Sequence, residues 1–339
     1  MKGRLKKAAV WIGVLVSGLC LNGCEAKIQD FQVTGFALGT VISGTIYTEG
    51  EDISQELLQM LEKLEQENLS WKLDDSAVGR INNNGGGTLA KDMGQYLEEL
   101  LELCRASDGA VDPTLGEIIE LWDFDSGEEY IPEKTQIDER LACVDYKNIR
   151  LQEKETEWTV SLPDGTALNL GSVGKGIGCD ELEKRLMEDG NVTGAVLSLG
   201  SSSIMTFGEK PDGSKWQVAI KDPQNPEGEY LGVLQLSGTN YVSTSGNYEK
   251  AFVRDGVRYH HILDPKTGYP TESGLASVTV LSDNGMLSDG LSTACFVLGL
   301  ERGQELLEVY DAEGVFVDAE GNVVLTEGME KLFTQKSGH

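Results

Sequence analysis

The run Asn169-Leu170-Gly171-Ser172-Val173-Gly174-Lys175-Gly176 joins a strand-like stretch, Thr166 to Leu170, to a helix-like stretch, Gly174 to Met187. A strand, a glycine-rich turn and a helix in succession suit a phosphate. Glycine lets the backbone approach, the helix N-terminus offers unpaired N–H groups, and Lys175 adds positive charge. The spacing matches neither GxxxxGK[ST] nor GxGxxG, so it supports neither a Walker loop nor a dinucleotide fingerprint. A glycine-rich turn with a surface lysine fits the same residues equally well.

Outward from this run, strands and helices mix without strict alternation. Phe31 to Tyr47 alternates and is rich in β-branched residues, which predicts two strands meeting at Gly39. Ile53, Leu57, Leu61 and Leu64 recur at helical spacing behind Asp52 as a cap, and Met93, Leu97, Leu100 and Cys104 predict a second helix ending near Gly109. Trp158–Leu162 and Thr166–Leu170 read as a hairpin through Asp164-Gly165. Strands follow at 194–199, 216–220, 231–236, 259–263 and 276–281, then a helix from Ser288 to Leu298. No repeat or Pro-rich linker separates domains. The expected class is α/β of the mixed, α+β kind.

The 339 residues carry 28 Lys+Arg against 56 Asp+Glu, a net charge of −28. Such acidity excludes a nucleic-acid or anionic-lipid surface held by charge. The basic residues Lys2, Arg4, Lys6 and Lys7 all precede the first acidic one, Glu25, and lead into the apolar run Ala8 to Leu21. Those 14 residues are too short to span a bilayer and read as a signal-peptide core. Leu21-Asn22-Gly23-Cys24 then resembles a bacterial lipobox. The expected organisation is a signal peptide over 1–23, a tether over 24–30 lipidated at Cys24, and one domain over 31–335. Loss of 1–23 removes four positive charges, taking the net charge to −32. The product would be exported and anchored to the cell membrane, facing outside the cytoplasm.

With only His260, His261 and His339, histidine-based zinc is implausible, and the cysteines lack CxxC spacing. Any metal is therefore a hard one bound by oxygen. Asp289 and Thr293, four apart on the predicted helix, project from one face and could share a cation. They could equally serve the helix itself, Asp289 in its first turn and Thr293 bonding back along the backbone. In His260-His261-Ile262-Leu263-Asp264-Pro265-Lys266-Thr267-Gly268, turn chemistry explains Pro265 and Gly268 but not two adjacent histidines. One can pack while the other lines a site, since successive strand residues face opposite sides. A neutral imidazole there can take a proton from a hydroxyl.

Taken together, the segments resemble the ApbE family of FAD:protein FMN transferases, from about Phe36 to Gly299. The ordered set is Leu38-Gly39-Thr40; Asp75-Ser76 to Arg80-Ile81-Asn82; Gly109 to Thr114; Asn169 to Gly176 and on to Asp180; Leu199-Gly200; Thr244 to Glu249; the His261 segment; and Ser288-Asp289 to Thr293. The resemblance implies a two-part fold, one part related to the tunnelling fold, with a flavin cleft between them. It implies that FAD is split, AMP leaves, and FMN is joined through its phosphate to a Thr or Ser of an acceptor flavoprotein subunit in a membrane or exported redox system. By the same resemblance Gly174, Asp289 and Thr293 would hold Mg²⁺ and Lys175 would lie beside the phosphates. His261 would be the base, with Asp264 as its orienting group. Leu38, Trp71, Ala110, Val111, Asp112, Asn169 and Ile262 would contact FAD. Asn169 stands where Asp or Glu is common, and Ser201-Ser202-Ser203 where Gly-Asp is frequent. Two alternatives remain: FAD hydrolysis to FMN and AMP, and a non-catalytic flavin-binding lipoprotein. Acceptors in this family resemble [ST]-G-A-[ST]; Thr193-Gly194-Ala195-Val196 is an incomplete match within a predicted strand, which argues against self-modification.

Overall fold

The computed structural model describes residues 27–228 and 230–336, so the expected signal peptide and the expected lipidation site Cys24 lie outside the described residues. Strands β1 (Gln29–Ala37) and β2 (Thr40–Thr48) form a hairpin about Leu38-Gly39, as the alternation predicts. Gln29 already pairs with Thr48, so β1 takes Gln29 and Asp30 out of the stretch read as tether. Helix α1 (Ser54–Leu64) buries Leu57 and Leu61 on one face; Asp52 serves its start by accepting the Ser54 N–H at 2.9 Å.

A π-helical turn, Glu65–Leu69, leads to α2 (Ala77–Asn84), β3 (Gly86–Ala90) and α3 (Lys91–Ala106). Then come α4 (Gly116–Trp122), α5 (Lys134–Leu141), β4 (Arg150–Glu153) and β5 (Glu157–Ser161). The expected hairpin through Asp164-Gly165 does not form. β5 has both edges taken, by β3 and by β4. Residues 163–171 run instead as an extended loop, with one bridge from Ala167 to Leu115. Asn82 clamps that loop, accepting the Leu168 N–H at 2.7 Å and donating to the Leu168 carbonyl at 2.9 Å.

Helix α6 (Gly174–Asp189) precedes β6 (Val192–Leu199), β7 (Ser203–Gly208), β8 (Trp216–Lys221), β9 (Tyr230–Leu236) and β10 (Asn240–Gly246). The hairpin β11 (Ala251–Arg254) and β12 (Val257–His260) stops short of Leu263, which turns away to bridge Pro270. The chain closes with β13 (Leu275–Ser282), α7 (Gly285–Leu298), α8 (Leu300–Val309), β14 (Glu313–Asp318), β15 (Val323–Leu325) and β16 (Phe333–Gln335). α7 begins a turn earlier than its sequence suggests, because Asn284 caps it by accepting the Leu287 N–H.

The main sheet runs β1-β2-β6-β7-β10-β13-β14-β15, and its strand pairings are antiparallel. One face packs on α1 and α6 through Ile42, Leu57, Leu61, Leu186 and Leu197. On the other, the small sheet β16-β9-β8 closes over Val242, Val315 and Val317 with Trp216, Val218 and Leu234. The largest core joins the β3-β5-β4 portion to α7, setting Leu97, Leu100 and Trp158 against Leu291, Phe296 and Val278. Burying apolar surface at about 25 cal/mol per Å² makes these faces the source of cohesion. They bring the turns after Leu170, Gly200 and His260 near α7. Thr193-Gly194-Ala195 lies inside β6, with Gly194 and Ala195 paired on both sides and Thr193 at the register shift against β2.

Candidate active site

Asp289 is buried in the first turns of α7. Its Oδ2 accepts the N–H of Gly176 at 3.0 Å, its Oδ1 accepts the Ser203 hydroxyl at 3.3 Å, and Lys175 Nζ lies 3.6 Å from Oδ1. The glycine-rich run and the α7 aspartate, 113 residues apart, thus meet at the N-terminus of α6. Gly176 is required there: a Cβ would stand 2.1 Å from the Gly285 carbonyl oxygen and 2.8 Å from Asp289 Cβ. Thr293 follows one turn on, its hydroxyl donating to the Asp289 carbonyl at 3.3 Å and sharing a 3.2 Å hydrogen bond with Ser245 on β10.

The other expected flavin contacts gather around the loop 109–116 and the loop before α6. Asn169 donates its N–H to the Pro113 carbonyl at 2.8 Å, and its side-chain oxygen accepts from Gly171 at 2.8 Å. Asp112 accepts from the Thr114 N–H and hydroxyl at 2.8 and 2.6 Å and from the Tyr146 N–H at 2.9 Å. Burial raises its pKa, and those hydrogen bonds oppose the rise. Its carboxylate therefore shapes its own loop. Val111 and Ile262 are buried in the core against which Leu38 and Trp71 rest half-buried; Ala110 is buried beside Val111. Leu38 has φ 52°, its N–H donates to Glu65 Oε2 at 2.6 Å, and it lies over Gly178, whose Cβ would stand 2.7 Å away.

The two histidines differ in burial, although β12 ends at His260 and His261 already belongs to the following bend. His260 is buried, edge-on to Phe296, and its Nε2 donates to the Thr271 carbonyl at 3.2 Å. His261 is partly exposed, and its Nδ1 lies 3.0 Å from the Glu249 carbonyl oxygen. A carbonyl only accepts, so Nδ1 carries the proton and Nε2 keeps its lone pair. Desolvation is the main cause that lowers the His261 pKa to about 4, with the Lys250, His260 and Lys175 charges adding to it. Its Nε2 is accordingly an unprotonated base at neutral pH. Asp264 does not orient this ring in the structure: its Oδ1 accepts the Lys266 N–H at 2.9 Å and its carbonyl accepts from Gly268. It closes the turn, which Trp122 anchors by donating to the Gly268 carbonyl at 2.8 Å.

Gly174, Asp289 and Thr293 supply only oxygen donors of the hard kind a magnesium-like cation prefers. Asp289 makes one main-chain and one hydroxyl hydrogen bond, which leaves lone pairs on its carboxylate. Among the described residues no three His, Cys, Asp or Glu side chains converge as a metal cluster. A cation here would complete its shell with oxygens from outside the chain, supplied by water or by a bound diphosphate. The donor set fits such a cation.

With this geometry in place, residues 38–316 match the ApbE family. The chain belongs to that family. An FAD:protein FMN transferase of Haemophilus influenzae is 32% identical over 321 residues, covering 90% of this chain and 91% of that protein. One of Treponema pallidum is 30% identical over 340 residues, covering 93% of each. The ApbE protein of Thermotoga maritima superposes with a TM-score of 0.80 at 28% identity, over 90% of this chain and 99% of that one. The Pseudomonas stutzeri flavinyl transferase ApbE does so with 0.76 at 29% identity, over 91% and 97%.

Within this ApbE fold, several contributors escape sequence reasoning. Ser203 sits in the Ser201–Ser203 departure, yet it is the hydroxyl that reaches Asp289. Glu249 acts on His261 through its main chain, where side-chain identity carries no signal. Ser245 lies in a quoted segment, but only the pairing of β10 with β13 sets it beside α7.

Proposed function

We propose that this chain transfers FMN from FAD to a Thr or Ser hydroxyl of an exported or membrane-associated acceptor protein, releasing AMP. The observation that carries the proposal is the convergence of Asp289, Lys175 and the first turn of α6, with a neutral, tautomerically fixed His261 near enough to feel the Lys175 charge. Lys175 and the α6 N-terminal amides that Asp289 leaves uncapped hold the diphosphate. Gly174, Asp289 and Thr293 would hold Mg²⁺, which when bound neutralises phosphate charge. Half-buried Trp71 offers an aromatic face and Leu38, Ala110, Val111 and Ile262 an apolar wall for the isoalloxazine ring. Asp112 and Asn169 keep the adjoining loops in place. His261 Nε2 takes the proton of the acceptor hydroxyl; its oxygen bonds the FMN phosphorus as the bond to AMP breaks. Phosphoryl transfer asks for this positioning and little covalent chemistry. Asp264 contributes by holding the turn after His261.

Cys24 would carry the lipid anchor that keeps the enzyme at the outer face of the cell membrane. Among the described residues no helix is long and apolar enough to cross a membrane. The test is to incubate the protein with FAD, Mg²⁺ and an acceptor domain bearing an [ST]-G-A-[ST] segment, then weigh the acceptor and assay AMP. One FMN gained per acceptor with equimolar AMP is expected. AMP with free FMN and unmodified acceptor would instead identify a hydrolase, and no product at all would leave a flavin binder.

A further inference from the structure

Asp180 is buried on α6 and has no part in the chemistry above. Its Oδ1 accepts the N–H of Gly285 at 2.6 Å and its Oδ2 that of Met286 at 2.9 Å, the first two residues of α7. Asp289, on α7, returns the contact by accepting the N–H of Gly176 on α6. Each helix thus caps the open N-terminus of the other. Neither could do so alone: Val173 provides no side-chain cap for α6, and Asn284 reaches only Leu287. The crossing closes through glycines, since a Cβ on Gly285 would stand 2.5 Å from the Gly176 carbonyl oxygen.

We infer that Asp180 is a positioning residue for Asp289, setting through this reciprocal cap the height and rotation at which α7 presents its carboxylate to a cation. Asp289 lies one helical turn beyond Gly285 on the same helix. Loss of Asp180 would orphan two buried N–H groups and loosen that turn, leaving the Gly176 bond as the remaining polar tie of the reciprocal cap. The inference rests on reading Asp289 as a metal ligand.

The test uses the full chain without flavin and follows Mn²⁺ uptake by the electron paramagnetic resonance of the free ion. Asp289→Ala defines uptake at other sites of this acidic protein. Asp180→Ala is expected to weaken the site at least about tenfold, the usual effect of removing a group that orients a ligand. Asp180→Asn, which keeps one acceptor oxygen, should fall between it and wild type. Gly285→Ala should weaken Mn²⁺ with the Asp180 carboxylate intact, and carries the test if Asp180→Ala does not fold. Amide exchange at 174–178 should also accelerate in Asp180→Ala, although Asp180 does not bond those amides. A variant that lowers Tm yet keeps wild-type Mn²⁺ affinity and wild-type exchange at 174–178 would overturn the inference. If Asp289→Ala takes up as much Mn²⁺ as wild type, the metal reading falls and the inference with it.

Discussion

Around Asp289 the hydrogen bonds are buried and come from the Gly176 N–H and the Ser203 hydroxyl, with the Asp180 cap behind them and the half-buried Lys175 ammonium 3.6 Å away. Around His261 the ring leans on the Glu249 carbonyl, in a loop fastened at its surface. Lys250 pairs with Asp125 at 2.6 Å, Lys221 with Glu249 at 3.8 Å, and Asn247 donates to the Ala276 carbonyl. Asp125 also holds Lys72 at 2.8 Å, whose ammonium lies over the Trp71 ring. On the proposed function, the phosphate side is built for one geometry and the acceptor side relies on exchangeable surface pairs. A diphosphate is the same in every turnover, whereas an acceptor is a protein surface that must come and go.

The comparison is most severely tested at Asp289. Asp289→Ala should cut transfer about a thousandfold, the scale of losing several kcal/mol of charge stabilisation, while FAD binding followed by flavin fluorescence survives. Wild-type turnover at equal Mg²⁺ would remove the metal assignment. His261→Ala should slow transfer about a hundredfold with unchanged FAD affinity, and equal rates would deny it the role of base.

In the wild type, the contribution of His261 to the rate should hold across neutral pH and fall as pH drops through about 4, where Nε2 takes up a proton. The same depression has a stability consequence of fixed sign. Unfolded histidines protonate near 6.5 while folded His260 and His261 wait until about 4, so stability present above 6.5 declines as pH falls across that window. Denaturant titrations at stepped pH measure it.

Gly176→Ala should destabilise the fold by about 1–3 kcal/mol, the usual cost of overpacking a dry contact, read as a lower denaturation midpoint. A midpoint equal to wild type would mean the helix crossing yields more easily than its geometry suggests. The smallest effect belongs to the acceptor side. Burial works against ionisation of Asp125, yet Lys250 and Lys72 hold its pKa down at about 2. Asp125→Asn should therefore change transfer only a few-fold, since exposed pairs are worth about 0–1 kcal/mol each, with the difference vanishing at high salt. A salt-independent loss as large as that of His261→Ala would erase the contrast between the two sides.

Much of the fold is legible wherever a period repeats within one element. The β1–β2 hairpin, α1 and α3 follow from alternation or helical spacing over about ten residues, and α6 begins at Gly174 as its glycines suggest. The hairpin through Asp164-Gly165 misleads because its turn chemistry is sound but β5 has better partners on both edges, 70 residues before it and a few residues before it. Asp264 misleads for a related reason. A carboxylate three residues from a histidine is close in sequence, but a turn directs it back to its own backbone.

By itself the sequence determined the mixed α/β class, the mismatch to Walker and dinucleotide spacings, the scarcity of histidines, and the residue types able to handle a phosphate, because these depend on composition and local spacing. Only the tertiary structure decided that Asp289 meets Gly176, that Asp180 and Asp289 cap each other's helices, and that Glu249 fixes the His261 tautomer. Those contacts join groups 12 to 113 residues apart. A buried polar atom takes whichever partner close packing delivers, and no periodicity along the chain encodes that choice.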